Sequence, residues 1–251
     1  MTEKNPYLPF ASEILDVIRH TAKEYTFRMA FDGAVRPGQF FEVSIPKYGE
    51  APISVSGIGD GFVDLTIRKV GRVTNEVFER YKGQNLLLRG PYGNGFDVDL
   101  YRDGEVVVVA GGTGVSPVRG VIQALSEMPD AQDKYVIAGF KSPDDMLFRD
   151  DLKVWDEKLR LILTVDGAPE GYTGKIGLVT KYIGELPLRD PANARAVVVG
   201  PPPMMRFTIM ELQKKDMTKL ILTIIPKNKF KKFLQDIMEQ IIKQKNMEQK
   251  I

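Results

Sequence analysis

VVVVAGGTGVSPVRG, Val106 to Gly120, is the stretch from which the rest of the chain is read. Four valines in a row and then Ala110 describe a strand covered on both faces, because a half-exposed strand alternates apolar with polar residues. Gly111, Gly112 and Gly114 then permit a tight turn and a close approach of backbone N–H groups to a ligand. A helix opening near Ser116 and Pro117 directs the positive end of its dipole to the same place. Such a turn suits a pyrophosphate. The general dinucleotide spacing GxGxxG is met only in part, since Pro117 stands at its third glycine.

Working outward, the residues after Gly104 alternate apolar runs with helical patterns. The runs are VVVVA, YVIAGF at 135–140, LILTV at 161–165 and AVVVG at 196–200. The helices fall at Pro117–Glu127, Met146–Leu159 and Leu178–Ile183. This is the pattern of a parallel α/β domain. Before it, from Ile14 to about Leu100, short β-type runs are separated by glycine, proline and aspartate: Glu24–Phe31, Gln39–Ile45, Ile53–Ile58, Phe62–Lys69 and Asn85–Arg89, with one helix expected at Asn75–Tyr81. That spacing suits an antiparallel barrel or sandwich. The expected division is 1–102 for the β-barrel, 103–212 for the α/β domain, and 213–251 for an atypical tail.

The chain has 251 residues and no cysteine, which excludes disulfides, thiolate metal sites and cysteine-held iron–sulfur clusters. No metal site and no Ser/His/Asp arrangement can be assembled, which argues against a hydrolase. The net charge of +2 is uneven: residues 213–251 hold ten lysines against four acids, so the preceding residues carry a net −4. Basic residues of the body are scattered among acids, so no nucleic-acid footprint is expected. No apolar run approaches the length of a membrane span and the N-terminus lacks a signal-peptide core, so a cytoplasmic location is expected. In the tail, Phe230, Phe233, Leu234, Ile237, Met238, Ile241 and Ile242 fall at helical spacing. His20, the single histidine, has no partner evident in the sequence and reads as structural or exposed. Trp155 reads as core, and the acid pairs Asp144–Asp145 and Asp150–Asp151 as a solvated helix start and face.

Three further stretches bear on chemistry: EAPISVSG (50–57), KVGRVTNEVF (69–78) and VVGPPPMM (198–205). In this order, together with GPYGNGF (90–96) and the glycine turn, they resemble the ferredoxin–NADP reductase superfamily over about residues 14–212. GEAPIS, VGRVTNEVF, GFKSPDDMLF and GLVTKYI look closest to the B subunits of anaerobic sulfite reductases. Dihydroorotate dehydrogenase electron-transfer subunits and hydrogenase gamma subunits are similar to a lesser degree. The resemblance implies an FAD-binding barrel followed by a nicotinamide domain. It puts Pro52, Ile53 and Ser54 at the isoalloxazine, with Ser54 the residue touching the reacting ring. Ile67, Arg68 and Lys69 would lie along the flavin's ribityl and phosphate arm, and Gly71, Val73 and Thr74, hydroxyl included, at its pyrophosphate. Gly111, Gly112, Thr113, Gly114 and Val115 would meet the dinucleotide pyrophosphate, with Gly200, Pro201, Pro202 and Met204 near the nicotinamide. Asp166, after LILTV, is expected by the adenosine ribose, where a carboxylate favours NADH over NADPH.

Two positions depart from the family pattern: Ala51 stands where many relatives have arginine, and Val199 where many have cysteine. The resemblance also implies a [2Fe–2S] cluster, whose cysteine ligands are absent here. Its partners would be a sulfite-reducing sirohaem subunit and an iron–sulfur subunit. The expectation is therefore NADH-driven reduction of small dyes with little direct sulfite reduction. A non-catalytic docking or assembly subunit is the alternative. The change in composition after Leu212 reads as a frame change or truncation, or else as a stripe that docks on a partner.

Overall fold

The computed structural model describes residues 8–80 and 84–222. The first sheet is antiparallel and contains β1 Phe10–Ser12, β2 Ile14–Arg19, β3 Glu24–Ala30, β4 Phe40–Ile45, β5 Gly49–Gly59, β6 Phe62–Arg68 and β7 Leu86–Tyr92. Its spatial order is β1-β7-β4-β5-β6-β3-β2. Only Glu13 separates β1 from β2, yet these strands hold opposite edges, so the sheet has to roll until its edges meet. The corner is fastened to the end of β3, where Ser12 Oγ donates to Ala30 O and Ala30 N to Glu13 O, each at 2.9 Å. Alternate residues fill the interior, including Phe27, Met29, Phe41, Leu65, Ile67 and Leu88, all fully buried. Helix α1, Arg72–Arg80, adds Val77 to the same core and begins three residues before the expected Asn75.

The second sheet is parallel: β8 Val106–Gly111, β9 Lys134–Phe140, β10 Arg160–Val165, β11 Lys175–Ile176, β12 Arg195–Val199 and β13 Lys219–Leu222, in the order β11-β10-β9-β8-β12-β13. Its helices are α2 Val115–Ser126, α3 Arg149–Lys158, α4 Val179–Ile183 and α5 Pro202–Lys214. The valine run behaves as its sequence demands. Val106 and Val108 pack toward α2 and α3 with Val118, Val121 and Trp155, while Val107 and Val109 pack toward α4 and α5 with Val179, Ile183, Met205 and Leu212. From β8 the chain builds outward through β9, β10 and β11, then crosses back to place β12 on the other side of β8. The strand order therefore reverses at the β8–β12 seam.

Residues 213–222, expected to open a separate tail, finish α5 and then form β13, paired in parallel with β12 from Arg195↔Lys219 to Val198↔Leu222. The amphipathic stripe from Phe230 to Ile242 lies outside the described residues. Among the described residues no helix is long and apolar enough to cross a membrane.

Candidate functional site

The C-terminal edge of the parallel sheet gathers one half of the site. Val199 lies opposite Ala110 in the β12–β8 register, so the turns that follow, at Gly111–Gly114 and at Gly200–Pro202, leave adjacent strands side by side. One turn leads to α2 on one face and the other to α5 on the opposite face, which opens a crevice at the switch point. Gly112 has φ +55°, and a Cβ there would point into open space. Gly114 serves a different purpose: its Cβ would stand 2.6 Å from Val199 O, so only glycine lets α2 start against the end of β12. Met204 packs its sulfur over Gly111 and its methyl near Gly200. Val115 is fully buried and its N–H turns back to Gly112 O and Thr113 O, so this position closes the turn.

Ser116, passed over in the sequence as a helix-opening residue, is 3% exposed, and its Oγ has no hydrogen-bond partner among the described residues. A buried hydroxyl left unpaired is costly, so its position at the start of α2 calls for a polar partner. Farther along the same edge, Asp166 is exposed at the end of β10, where its N–H donates to Phe140 O at 2.9 Å. Desolvation raises its carboxyl pKa from the ordinary aspartate value, and Lys141 opposes that rise.

The other half lies on the antiparallel sheet. Pro52, Ile53 and Ser54 sit on β5 opposite Glu42, Phe41 and Phe40 of β4. The Ser54 hydroxyl is partly exposed and makes no hydrogen bond among the described residues. Ile67 is fully buried in the core, so its side chain cannot run along a ligand, contrary to expectation. Arg68 pairs with Glu24, and Lys69 with Glu79, each at 3.0 Å. The Lys69–Glu79 pair is exposed and weak enough to yield to a phosphate, whereas Arg68 is held by a buried carboxylate.

Thr74 also departs from expectation. Its hydroxyl accepts from Val70 N (3.1 Å) and Gly71 N (2.9 Å) and donates to Gly71 O (3.2 Å), which fills its hydrogen-bonding capacity. Thr74 shapes the turn, and the free donors here are the first-turn amides of α1 at Arg72, Val73 and Thr74. Arg72, which the sequence reading did not single out, adds a cation at this helix start, holding Lys47 O at 2.9 Å from across the β4–β5 turn.

The two halves face each other across β5 and α2. Arg119 of α2 donates to Ser56 O of β5 at 2.9 Å, lies 3.5 Å from Asp64 of β6 and pairs with Asp151 of α3 at 2.7 Å. Asp151 therefore belongs to the interface between the sheets and not to a solvated helix face.

Residues 108–209 match a family model described as "Oxidoreductase NAD-binding domain". Over 231 residues the chain is 34% identical to the sulfhydrogenase 2 subunit gamma of Pyrococcus furiosus, an alignment covering 83% of this chain and 80% of that one. The chain belongs to the ferredoxin–NADP reductase-like superfamily. Within it, the chain is 32% identical to a probable dihydroorotate dehydrogenase B (NAD(+)) electron transfer subunit of Thermoplasma volcanium, over 80% of this chain and 72% of that one. An NADH-dependent reduced ferredoxin–NADP oxidoreductase of solved structure shares the fold, with a TM-score of 0.73 at 23% identity over 90% of this chain and 78% of that one.

The superfamily binds FAD and NAD(H), and this chain is an NAD-dependent flavin oxidoreductase of that kind. Its residues fit both groups: Ser54 and the α1 amides on one side, the open space at Gly112 and the orphan Ser116 on the other. They do not fit a thiolate-held [2Fe–2S] cluster, since the 251 residues contain no cysteine. Ser54→Ala is expected to weaken FAD binding by about 0.5–1.5 kcal/mol, the usual worth of one neutral hydrogen bond. Flavin retention during titration of the apoprotein measures this, and unchanged affinity would remove Ser54 from the site.

Proposed function

We propose that this chain takes a hydride from NADH to FAD and passes electrons through an iron–sulfur partner toward a sulfite-reducing sirohaem subunit. The observation that carries the hydride half is the meeting of the glycine turn with Pro201–Met204 at the β8–β12 switch point, opposite the β5 strand that bears Ser54. When bound, the two cofactors supply the hydride chemistry, and the protein aligns them.

Each residue has a separate task in that alignment. The α1 amides and Arg72 hold the flavin's pyrophosphate, and Arg72 provides a cation in a chain where position 51 is alanine. Ser54 donates its free hydroxyl to a heteroatom of the flavin ring. Gly111 to Gly114 present backbone to the dinucleotide's pyrophosphate, and Ser116 gives its hydroxyl a partner there. Gly200, Pro201, Pro202 and Met204 wall the nicotinamide pocket and keep water from it. Asp166 accepts from the ribose 2′-hydroxyl, which favours NADH over a 2′-phosphorylated dinucleotide.

The sulfite-reducing partner is supported by the wording of GEAPIS, VGRVTNEVF, GFKSPDDMLF and GLVTKYI. The names of the two relatives support a second reading, delivery to a hydrogenase or a dihydroorotate dehydrogenase. The test begins with a spectrum. FAD-reconstituted protein should be yellow and bleach with NADH, and it should reduce small dyes. Sulfite, hydrogenase or dihydroorotate dehydrogenase catalytic subunits are then added one at a time, each with and without its iron–sulfur partner. Sulfite reduction that appears only with the iron–sulfur subunit supports the proposal, and coupling to either of the other two instead replaces it. A protein that stays colourless with FAD would be a docking or assembly subunit.

A further inference from the structure

A ladder of hydroxyls crosses the antiparallel sheet and ends at the other lobe. Ser56 Oγ donates to Asp64 O at 3.1 Å, and its other neighbour is Thr66 Oγ1 at 2.7 Å. Thr66 Oγ1 meets Thr26 Oγ1 at 2.7 Å, and Thr26 Oγ1 meets His20 Nε2 at 2.7 Å. Each hydroxyl has one proton. Because Ser56 directs its own at a carbonyl, Thr66 must donate to Ser56, Thr26 to Thr66, and His20 Nε2 to Thr26.

The far side of the ring gives the same tautomer independently. His20 Nδ1 accepts from Phe148 N at 3.4 Å, so it carries a lone pair and no proton. Phe148 is the residue just before α3, and it delivers that N–H from a left-handed backbone, φ +53°, costly for a large side chain. Its ring stands edge-on to His20 at 4.6 Å between centroids and lies 4.9 Å from the Arg119 guanidinium. These contacts border a cavity of about 300 Å³ between the lobes.

We propose that His20 is a positioning residue for hydride transfer: as the neutral Nε2–H tautomer it ties the start of α3 to the hydroxyl ladder of the flavin lobe, and protonation at Nδ1 releases the tie. A proton there would face the Phe148 N–H head-on. Hydride donor and acceptor sit on different lobes, so what fixes one lobe against the other fixes their approach. The inference rests on the hydride-transfer reading above.

The charges around the ring oppose one another. Arg19, Arg119 and Arg149 face the cavity against Asp64, Asp150 and Asp151. Burial first and Arg119 second hold the imidazole pKa below its usual 6.5, while Asp151 and Asp64 raise it. The unfolded chain therefore takes up the proton first as pH falls. The stability that neutral His20 contributes is full above about pH 6.5 and is lost as pH drops toward the lower folded value.

Since this is the single histidine, its imidazole nitrogens can be followed by NMR without ambiguity. The spectrum of the FAD-loaded protein should show the Nε2–H tautomer at neutral pH and an inflection below 6.5. The rate of flavin bleaching by excess NADH should fall about tenfold through that same inflection, with NADH affinity unchanged. His20→Phe keeps a ring against Phe148 but cannot titrate, so its rate should be low and flat across the window. Thr26→Val removes the anchor and should bring the wild-type rate down while the histidine still titrates. An Nδ1–H tautomer or a cation at neutral pH overturns the proposal, as does a His20→Phe protein that keeps the acid limb. Absence of any bleaching by NADH, with the tautomer as stated, would sink the hydride reading and leave the tie standing.

Discussion

A Gly114→Val protein is expected to retain its flavin and to lose NADH-driven flavin reduction by about 100-fold, the scale of an ångström-sized misplacement. A side chain at this position meets backbone: its first carbon would lie 2.6 Å from Val199 O and 2.9 Å from Val199 C. Neither can rotate away, so the start of α2 must shift from the end of β12, and the crevice between those elements changes shape. The flavin half keeps its own sheet and core, and α2 meets it through Arg119, more than a turn beyond the displaced start of the helix. Gly112→Ala provides the contrast. Its added carbon enters open space and costs about 1–2 kcal/mol in left-handed strain. That protein should fold, bind nicotinamide more weakly and keep a measurable rate. Saturable, unaltered NADH oxidation by Gly114→Val would take the glycine turn out of the site.

Arg119→Ala is expected to cost about 2–3 kcal/mol in urea denaturation, below the cost of breaking a fully buried pair because the side chain keeps some water contact. The substitution removes the bond to Ser56 O and leaves Asp151 without its cation. Asp64, which is 2% exposed, keeps Arg28, whose Nε and Nη2 reach it at 2.8 and 3.1 Å. With Arg119 gone, a charge that holds His20 neutral is also gone, so the acid limb of the hydride-transfer profile should move to higher pH. An unchanged denaturation midpoint and an unmoved limb would show that the guanidinium is a bystander at this interface.

The chain's pattern made the two lobes legible because burial writes itself into residue order. Val106–Val109 are covered on both faces and are uninterrupted, and β3 to β7 fall within a few residues of the five expected runs, while β1 and β2 are not among those runs. The glycine turn and the GPPPMM segment lie side by side because β12 pairs with β8, a strand order that residue pattern alone does not give. What escaped were features that depend on long-range partners. His20 has its contacts at Thr26 and Phe148, the latter 128 residues away, and Arg119 has its partners at Ser56, Asp64 and Asp151, none of them near it in the chain. Thr74 was correctly placed at a helix start, but whether a hydroxyl faces ligand or its own turn is decided by rotamer, which spacing does not encode. β13 escaped for a different reason: KLIL is a short strand led by a lysine, set in a lysine-rich stretch at the sheet margin.

That marginal strand also determines where the chain could be shortened. Stopping it at Leu212, where the quoted resemblance ends, would strip β13 from β12 and lay bare the backbone of Arg195–Val199. AVVV at 196–199 is uncharged and rich in β-branched residues, the type of segment that pairs with copies of itself when its edge is open. The residues from 219 to 222, foreign in composition, thus serve as a selvage that covers the valine strand and leaves a lysine-led strand at the margin in its place.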